Sequence, residues 1–463
     1  MTDKNRTGRY DSSGIRMTRH LTLPASDTDN SGIQPKGKNI LISDRFGKIP
    51  FIRNNISADA NYVFVDNDWE IYNRFADTFR KHGYNLIVFD KNRSSQNVSD
   101  PDSIDNLCNY NPFRYIYRGD HKAIAAFAKV MSDNLIPGLY EDKESYKLHK
   151  DIAEYIYRLL VTYMTDEYDD SHKKTLHYLA KLALTYNSNR FSNAPDMPDF
   201  DKEIHKLLTD KPDSETAKLY KDVEELDSEL IDKTVRYSIG QQLYNTWIIP
   251  KDDDELHLDS FIEGKNILFI EAESDWHDRF YAPLIIHQLY DEIIKARNTY
   301  NNSEMRSVRF FLCDDRYWSN KIYPSAGYYT DLCRMMMEAP ENNMSFFLFT
   351  WDIQELESQY GIQYKSIISL CDAILFTSAD IYMELQDGCD INDLIFIVRK
   401  STGQPSYRYS SISKYWKESD VAISGNPDRP ETLKIHVKNP EQVVYLPDNG
   451  LYIDRPLKRW GQI

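Results

Sequence analysis

What most constrains the fold is a repeated phrase: a short run of apolar, β-branched and aromatic residues, a stretch with helical periodicity, then another apolar run. "ILIS" (residues 40–43), "NYVFVD" (61–66) and "YNLIVFD" (84–90) begin the series, with a helical pattern from Trp69 to His82 between the last two. The series resumes far along the chain. "NILFIEA" (266–272) precedes a helical pattern over 281–296, "VRFFLCDD" (308–315) one over 326–338, and "MSFFLFTWD" (344–352) one over 353–360. "DAILFTS" (372–378), "LIFIVRK" (394–400) and "EQVVYLPDNGLYI" (441–453) close it, the last as a hairpin across Pro447 to Gly450. Continuous apolar strands suit a sheet buried on both faces, and strands joined through helices run parallel. An α/β fold with a mainly parallel sheet is expected.

Between Asp120 and Asp232 the period changes. Ile152, Tyr155, Ile156, Leu159, Leu160 and Tyr163 recur at helical spacing, as do Leu219, Val223, Leu226 and Leu230, with Asp213 or Ser214 as an N-cap. No run there reads as a strand. The expected organisation is a polar arm (1–35), a first part of the α/β domain (36–119), an all-helical insertion (120–235) and the second part of the α/β domain (236–463). The arm carries Lys4, Arg6, Arg9, Arg16 and Arg19. It reads as a mobile segment, or as a contact segment for phosphate or a partner protein.

A chain of 463 residues, 41% hydrophobic and 28% charged, has the balance of a folded protein. Its net charge of −16 counts against coating nucleic acid through bulk charge, leaving room only for a local patch from the N-terminal arginines or "RPLKRW" (455–460). The five cysteines are scattered without metal-ligand spacing and read as reduced thiols of a cytoplasmic protein. No apolar run approaches the roughly 20 residues of a membrane span, and no signal-peptide core opens the chain. The expectation is a soluble cytoplasmic protein that a partner could bring to a membrane.

Candidate chemistry lies at strand ends. After Ile40–Ser43 comes "DRFGKIPF", where Gly47-Lys48 stands as the Gly-Lys of a phosphate-binding loop would. Such a loop needs a Ser or Thr next, for magnesium, and an earlier glycine; Ile49 and Ile42 stand in those places. Gly-Lys also occurs at Gly37-Lys38 and Gly264-Lys265, so Lys48 reads equally as a surface lysine. "VRFFLCDD" ends in two carboxylates: Asp314 could bind magnesium through water and Asp315 orient a nucleophile, or both could simply end a buried strand. Glu271, Glu273, Asp275 and Asp278 with His277 read as a solvated loop, with a hard-metal site as the alternative. No metal site is expected.

Taken in order, these segments resemble the TraG/TraD-type coupling ATPases of conjugative type IV secretion. A strand ending in Asp66, a helix, the Gly83-Tyr84 turn, a strand, then Asn111-Pro112-Phe113 leading into a helical block all follow that family's sequence of steps. "FFLCDD" takes its Walker B position, while "FFLFTWDIQELESQYG", "CDAILFTS" and "LPDNGLYIDRPLKRW" match the later elements. The resemblance implies a RecA-like P-loop sheet, mainly parallel, with an all-helical insertion domain. It implies a nucleotide site at Gly47, Lys48, Asp66 and Glu70, with Asp314 and Asp315 as catalytic acids. The departures fall on that site. The glycine-rich loop is reduced to Gly47-Lys48, the family's Asp-Pro-Lys-Gly-Glu segment to Asp66 and Glu70, its arginine position is Glu341 and its sensor glutamine is Phe349.

The resulting expectation is a pseudo-ATPase that needs no cofactor. It would bind protein components of a conjugative transfer apparatus, a catalytically intact paralogue among them. Two alternatives stay open. One is an active ATPase or DNA translocase with an atypical loop, using ATP and Mg²⁺; the other is a fold co-opted for regulation unrelated to DNA transfer.

Overall fold

The structure is a computed structural model. It describes residues 15–16, 22–23, 38–43, 48–56, 60–66, 69–90, 108–135, 142–168, 173–186, 200–240, 243, 254–271, 279–299, 306–313, 329–350, 353–377, 421–424, 434–437, 442–446 and 450–454.

Nine strands make one sheet: β1 (Ile40–Ser43), β2 (Ala60–Asp66), β3 (Asn85–Phe89), β4 (Asn266–Glu271), β5 (Ser307–Cys313), β6 (Met344–Thr350), β7 (Ala373–Thr377), β8 (Gln442–Leu446) and β9 (Gly450–Asp454). Their order is β9-β8-β7-β1-β6-β5-β2-β4-β3. The seven from β7 to β3 are parallel; β8 and β9 add the antiparallel hairpin. The expected mainly parallel α/β sheet is what forms. "LIFIVRK" lies outside the described residues.

Because side chains alternate along a strand, the sheet has two cores. Leu41, Val63, Val65, Leu268, Phe310 and Phe346 face one, shared with the helices between β3 and β4 and with α9 (Tyr281–Thr299), α10 (Leu332–Glu338), α11 (Ile353–Tyr360) and α12 (Tyr364–Ser369). Ile40, Ile42, Tyr62, Phe64 and Phe311 face the other, covered by α1 (Lys48–Asn55) and α2 (Glu70–Lys81). On this second face Phe269, Phe64, Phe311 and Phe347 stand in register across four neighbouring strands, with successive centroids 5.3, 4.9 and 4.5 Å apart. Such stacking fixes the register that a one-residue slip would invert.

The amino edge is sealed by asparagines that open strands. Asn39 Nδ2 donates to the Met336 carbonyl at 2.6 Å while its Oδ1 accepts from the Phe346 amide at 3.2 Å. Asn61 Oδ1 accepts from the Asn266 amide, and Asn85 Nδ2 donates to Asn266 Oδ1. Buried amides need such partners, so polarity at this edge is consumed internally and the carboxyl edge is left for a site.

Between β3 and β4 the described residues form helices and no strand: α3 (His121–Asp133), α4 (Lys143–Glu167), α5 (Leu176–Thr185), α6 (Phe200–Asp210), α7 (Glu215–Glu224) and α8 (Ser228–Lys233). Ser214 is the N-cap of α7, accepting from the Ala217 amide at 3.2 Å. The two chain segments that bound this block are stitched together. Asp254 accepts from the Asn111 amide at 3.1 Å and from the Tyr115 hydroxyl, and Glu255 accepts from Asn109. The Asn-Pro-Phe motif thus closes the base of the helical block.

The stretch after Gly47 is a helix from Lys48; Pro50 fits because a helix's first-turn amides need no helical partner. One expectation is corrected. The helix read over 326–338 starts at Leu332, after a turn in which Asp331 is left-handed (φ 58°).

Candidate functional site

β1, β2, β4 and β5 end together at the carboxyl edge, where Asp66 pairs in register with Glu271 on one side and Cys313 on the other. Asp314 and Asp315 follow β5 directly and lie outside the described residues, as do Gly47, Glu273, Asp275, His277 and Asp278. The site is therefore read from Lys48, Ile49, Asp66, Trp69, Glu70 and Glu271.

Lys48 opens α1 and its side chain is only 12% exposed, so it is not a plain surface lysine. Its Nζ lies 3.7 Å from Glu70 Oε2, and Glu70 is paired again, at 2.9 Å, with Arg74 one turn along α2. Structure thus brings together two residues that sequence assigned to one site. Ile49 is 7% exposed and belongs to the second core with Ile42, Phe51 and Ile52.

Asp66 is fully buried, and its Oδ2 accepts from the amides of Ile71 (2.8 Å) and Tyr72 (3.0 Å). It supplies the anion that the N-terminus of α2 attracts. Trp69, immediately before the helix, is left-handed at φ 59°, ψ 16°. Its indole donates to Glu271 Oε1 at 3.1 Å and packs edge-on against Tyr72, 5.5 Å between centroids. Neither the cap nor Trp69 was foreseen. An acid a few residues ahead of a strongly amphipathic run is the signal that could have shown the first; nothing local announces the second.

No protein family matches the sequence, and no curated protein matches it either. Solved structures do. The unbound monoclinic form of the bacterial conjugative coupling protein TrwBdeltaN70 superposes with a TM-score of 0.53 at 12% identity, covering 97% of this chain and 90% of that one. The plasmid coupling protein TrwB in complex with a non-hydrolysable ATP analogue gives 0.51 at 13% identity (96% and 91% covered). Its complex with a non-hydrolysable GTP analogue gives 0.50 at 13% (92% and 87% covered).

The chain has the fold of the conjugative coupling proteins. Its sheet is mainly parallel, with β6 between the strand that leads to Lys48 and the strand that leads to Asp314. In this coupling-protein fold, Phe349 near the end of β6 is buried, in register with Ile42 and Cys313 and edge-on to Phe51 at 5.9 Å. It adds a ring to the core and no polar group to the edge. Glu341 sits in a short turn (Pro340–Asn342) ahead of β6, at the opposite edge of the sheet.

The start of α1 offers a lysine beside a carboxylate, followed by a buried isoleucine. Among the described residues no group of three or more His, Cys, Asp or Glu could hold a metal ion, and no helix is long and apolar enough to cross a membrane. Cys313 and Cys371 are buried and Cys108 and Cys333 half-buried; Cys389 lies outside the described residues.

Proposed function

We propose that this chain is a catalytically inactive relative of the type IV secretion coupling ATPases, acting as a protein-binding component of conjugative DNA transfer. The observation that carries the reading is Ile49. A coupling ATPase needs a hydroxyl there to hold Mg²⁺ against the phosphates, and this side chain is packed with Phe51 and Ile52 instead. The pairing of Lys48 with Glu70 adds support, since it neutralises the cation that would meet a phosphate. The partners would be protein components of the transfer apparatus, an intact paralogue among them, meeting the chain in the cytoplasm or at a membrane that such a partner occupies. The helical block is the candidate docking surface: Leu148 and Tyr155 lie exposed two turns apart on α4.

A second reading is favoured by the position of Lys48 at the head of α1: an ATPase with an atypical loop, in which Lys48, Asp314 and Asp315 keep their family roles. Calorimetric titration of the full chain with MgATP, and with ATP in excess EDTA, separates the two. The pseudo-ATPase reading expects no heat in either titration. Magnesium-dependent binding that disappears in Lys48→Ala would overturn it in favour of the enzyme.

A further inference from the structure

We propose that His287 is a proton-operated latch between α9 and α10. Neutral, it accepts a hydrogen bond from Arg334; protonated, it donates one to Asp331 and shifts the turn that ties α10 to the helical block. The latch is independent of nucleotide binding.

Three observations carry it. The first is the tautomer. His287 is 3% exposed, and its Nε2 lies 3.3 Å from Arg334 Nη2. A guanidinium has donors and no acceptor, so Nε2 must offer its lone pair. The ring proton then sits on Nδ1, which faces Asp291 Oδ2 at 3.4 Å, and the imidazole is neutral. The second is the room for another proton. Arg334 has Asp291 at 3.8 Å, Asp331 at 4.0 Å and Glu338 at 3.3 Å, and Lys122 faces Asp291 from α3. Carboxylates outnumber cations in this node, so a proton on His287 reduces an excess of negative charge. The turns Pro112–Tyr115 and Leu258–Ser260 also pack on α9, but their Arg114 and Asp259 pair with each other at 3.9 Å. The third is the path outward. Asp331 Oδ2 lies 4.0 Å from His287 Nε2, in a left-handed conformation (φ 58°). Its neighbour Thr330 donates to the buried Asp133 of α3 at 3.0 Å.

A protonated Nε2 cannot keep facing Arg334, because two donors would then meet. Asp331 is the nearest carboxylate on that side among the described residues, and a hydrogen bond to it needs an approach of about 1 Å. Arg334 keeps Glu338 and the face of Tyr290, 5.6 Å from the ring centroid. As Asp331 closes on His287 it draws Thr330 away from Asp133. One proton thereby loosens the contact between the α10 turn and the helical block, giving two discrete arrangements of the kind a histidine switch requires.

The test uses the full chain with isotopically labelled histidine nitrogens. At about pH 8 the His287 resonances should show the Nδ1–H tautomer, and they should show both nitrogens protonated at about pH 5. Over the same range, hydrogen exchange corrected for its intrinsic pH dependence should quicken roughly threefold or more at Thr330 to Leu332 and at the end of α3. His287→Phe fills the same space without taking a proton, and should assign the resonance and remove the exchange step. Asp331→Asn suits the left-handed turn and should shrink the step while His287 still titrates. Thermal melts identify any variant that has not folded; the remaining variant and the wild-type tautomer then decide. An Nε2–H tautomer at the higher pH overturns the latch. So does an exchange step that is missing from the wild type, that survives in a folded His287→Phe, or that is undiminished in a folded Asp331→Asn.

Discussion

Asn39 shows what a single buried polar side chain does in this chain. It is 1% exposed, and its amide group bridges α10 to the start of β6 while its backbone amide donates to Asp372 Oδ2 at 2.8 Å. Truncation would orphan a carbonyl at Met336 and an amide at Phe346, each costing about 1–3 kcal/mol when buried. Asn39→Ala should therefore lower stability by about 3 kcal/mol, read as a shift in the urea midpoint at unchanged slope. Ile49 makes the opposite case. Ile49→Thr puts a hydroxyl among Ile42, Phe51 and Ile52, which should cost about 2 kcal/mol. Since that position faces the core, we expect no magnesium-dependent ATP heat to appear in the titration. Restored binding would mean that the missing hydroxyl alone had silenced the site.

The elements differ in how legible they are. β2, β4, β5 and β6 could be read from sequence because strands buried on both faces must be apolar throughout, and few other structures need such runs. α7 was legible because Ser214 caps a regular helical pattern. α1 was not: it has eight residues and a proline in its first turn, so local signals favour a turn and only packing of Ile49 and Ile52 on the sheet decides for helix. At the site, sequence named Lys48, Asp66 and Glu70 by resemblance. The pairing of Lys48 with Glu70 depends on the crossover that brings α1 beside α2, whereas the cap on α2 is local, reaching from Asp66 to Ile71 and Tyr72. That cap is testable. Asp66→Ala should cost about 2 kcal/mol and speed hydrogen exchange at the Ile71 and Tyr72 amides before it affects the rest of α2.

A pH dependence belongs to the junction of α9 and α10. Burial pushes the Asp291 carboxyl up, but the hydrogen bond and charge of His287, with Arg334 beyond, outweigh it and hold Asp291 below its ordinary value of 3.8. A carboxylate lowered in the folded state adds stability that is present above its unfolded value and is lost as pH falls through its folded one. Arg334→Gln removes one of the cations holding it down. The midpoint of acid unfolding should move to higher pH, with stability at neutral pH falling as well. An unchanged midpoint would mean that this carboxylate does not govern acid stability.

At the scale of the whole molecule, the sheet carries two unequal cores, and the larger is continuous with the helical block. One polar node ties that block to the sheet. Asp133, at the end of α3 and fully buried, accepts from Lys129 and Lys150 at 2.8 Å each and from Thr330 Oγ1 at 3.0 Å, while Arg279 Nη2 donates to its carbonyl at 3.4 Å. Arg279 lies just ahead of α9 and Thr330 just ahead of α10. Removing one member of a buried pair leaves the other charge uncompensated, which typically costs about 3–5 kcal/mol; Lys129 is half-exposed and can turn to water, so Asp133→Ala should sit at the low end. The loss should also be uneven. Hydrogen exchange should accelerate through α3, the start of α4 and the Tyr329–Asp331 turn, while α1 and α2, which pack on the other face, keep their protection. Uniform loss would instead make the two faces one cooperative unit, and the helical block could not then move relative to the sheet without unfolding it.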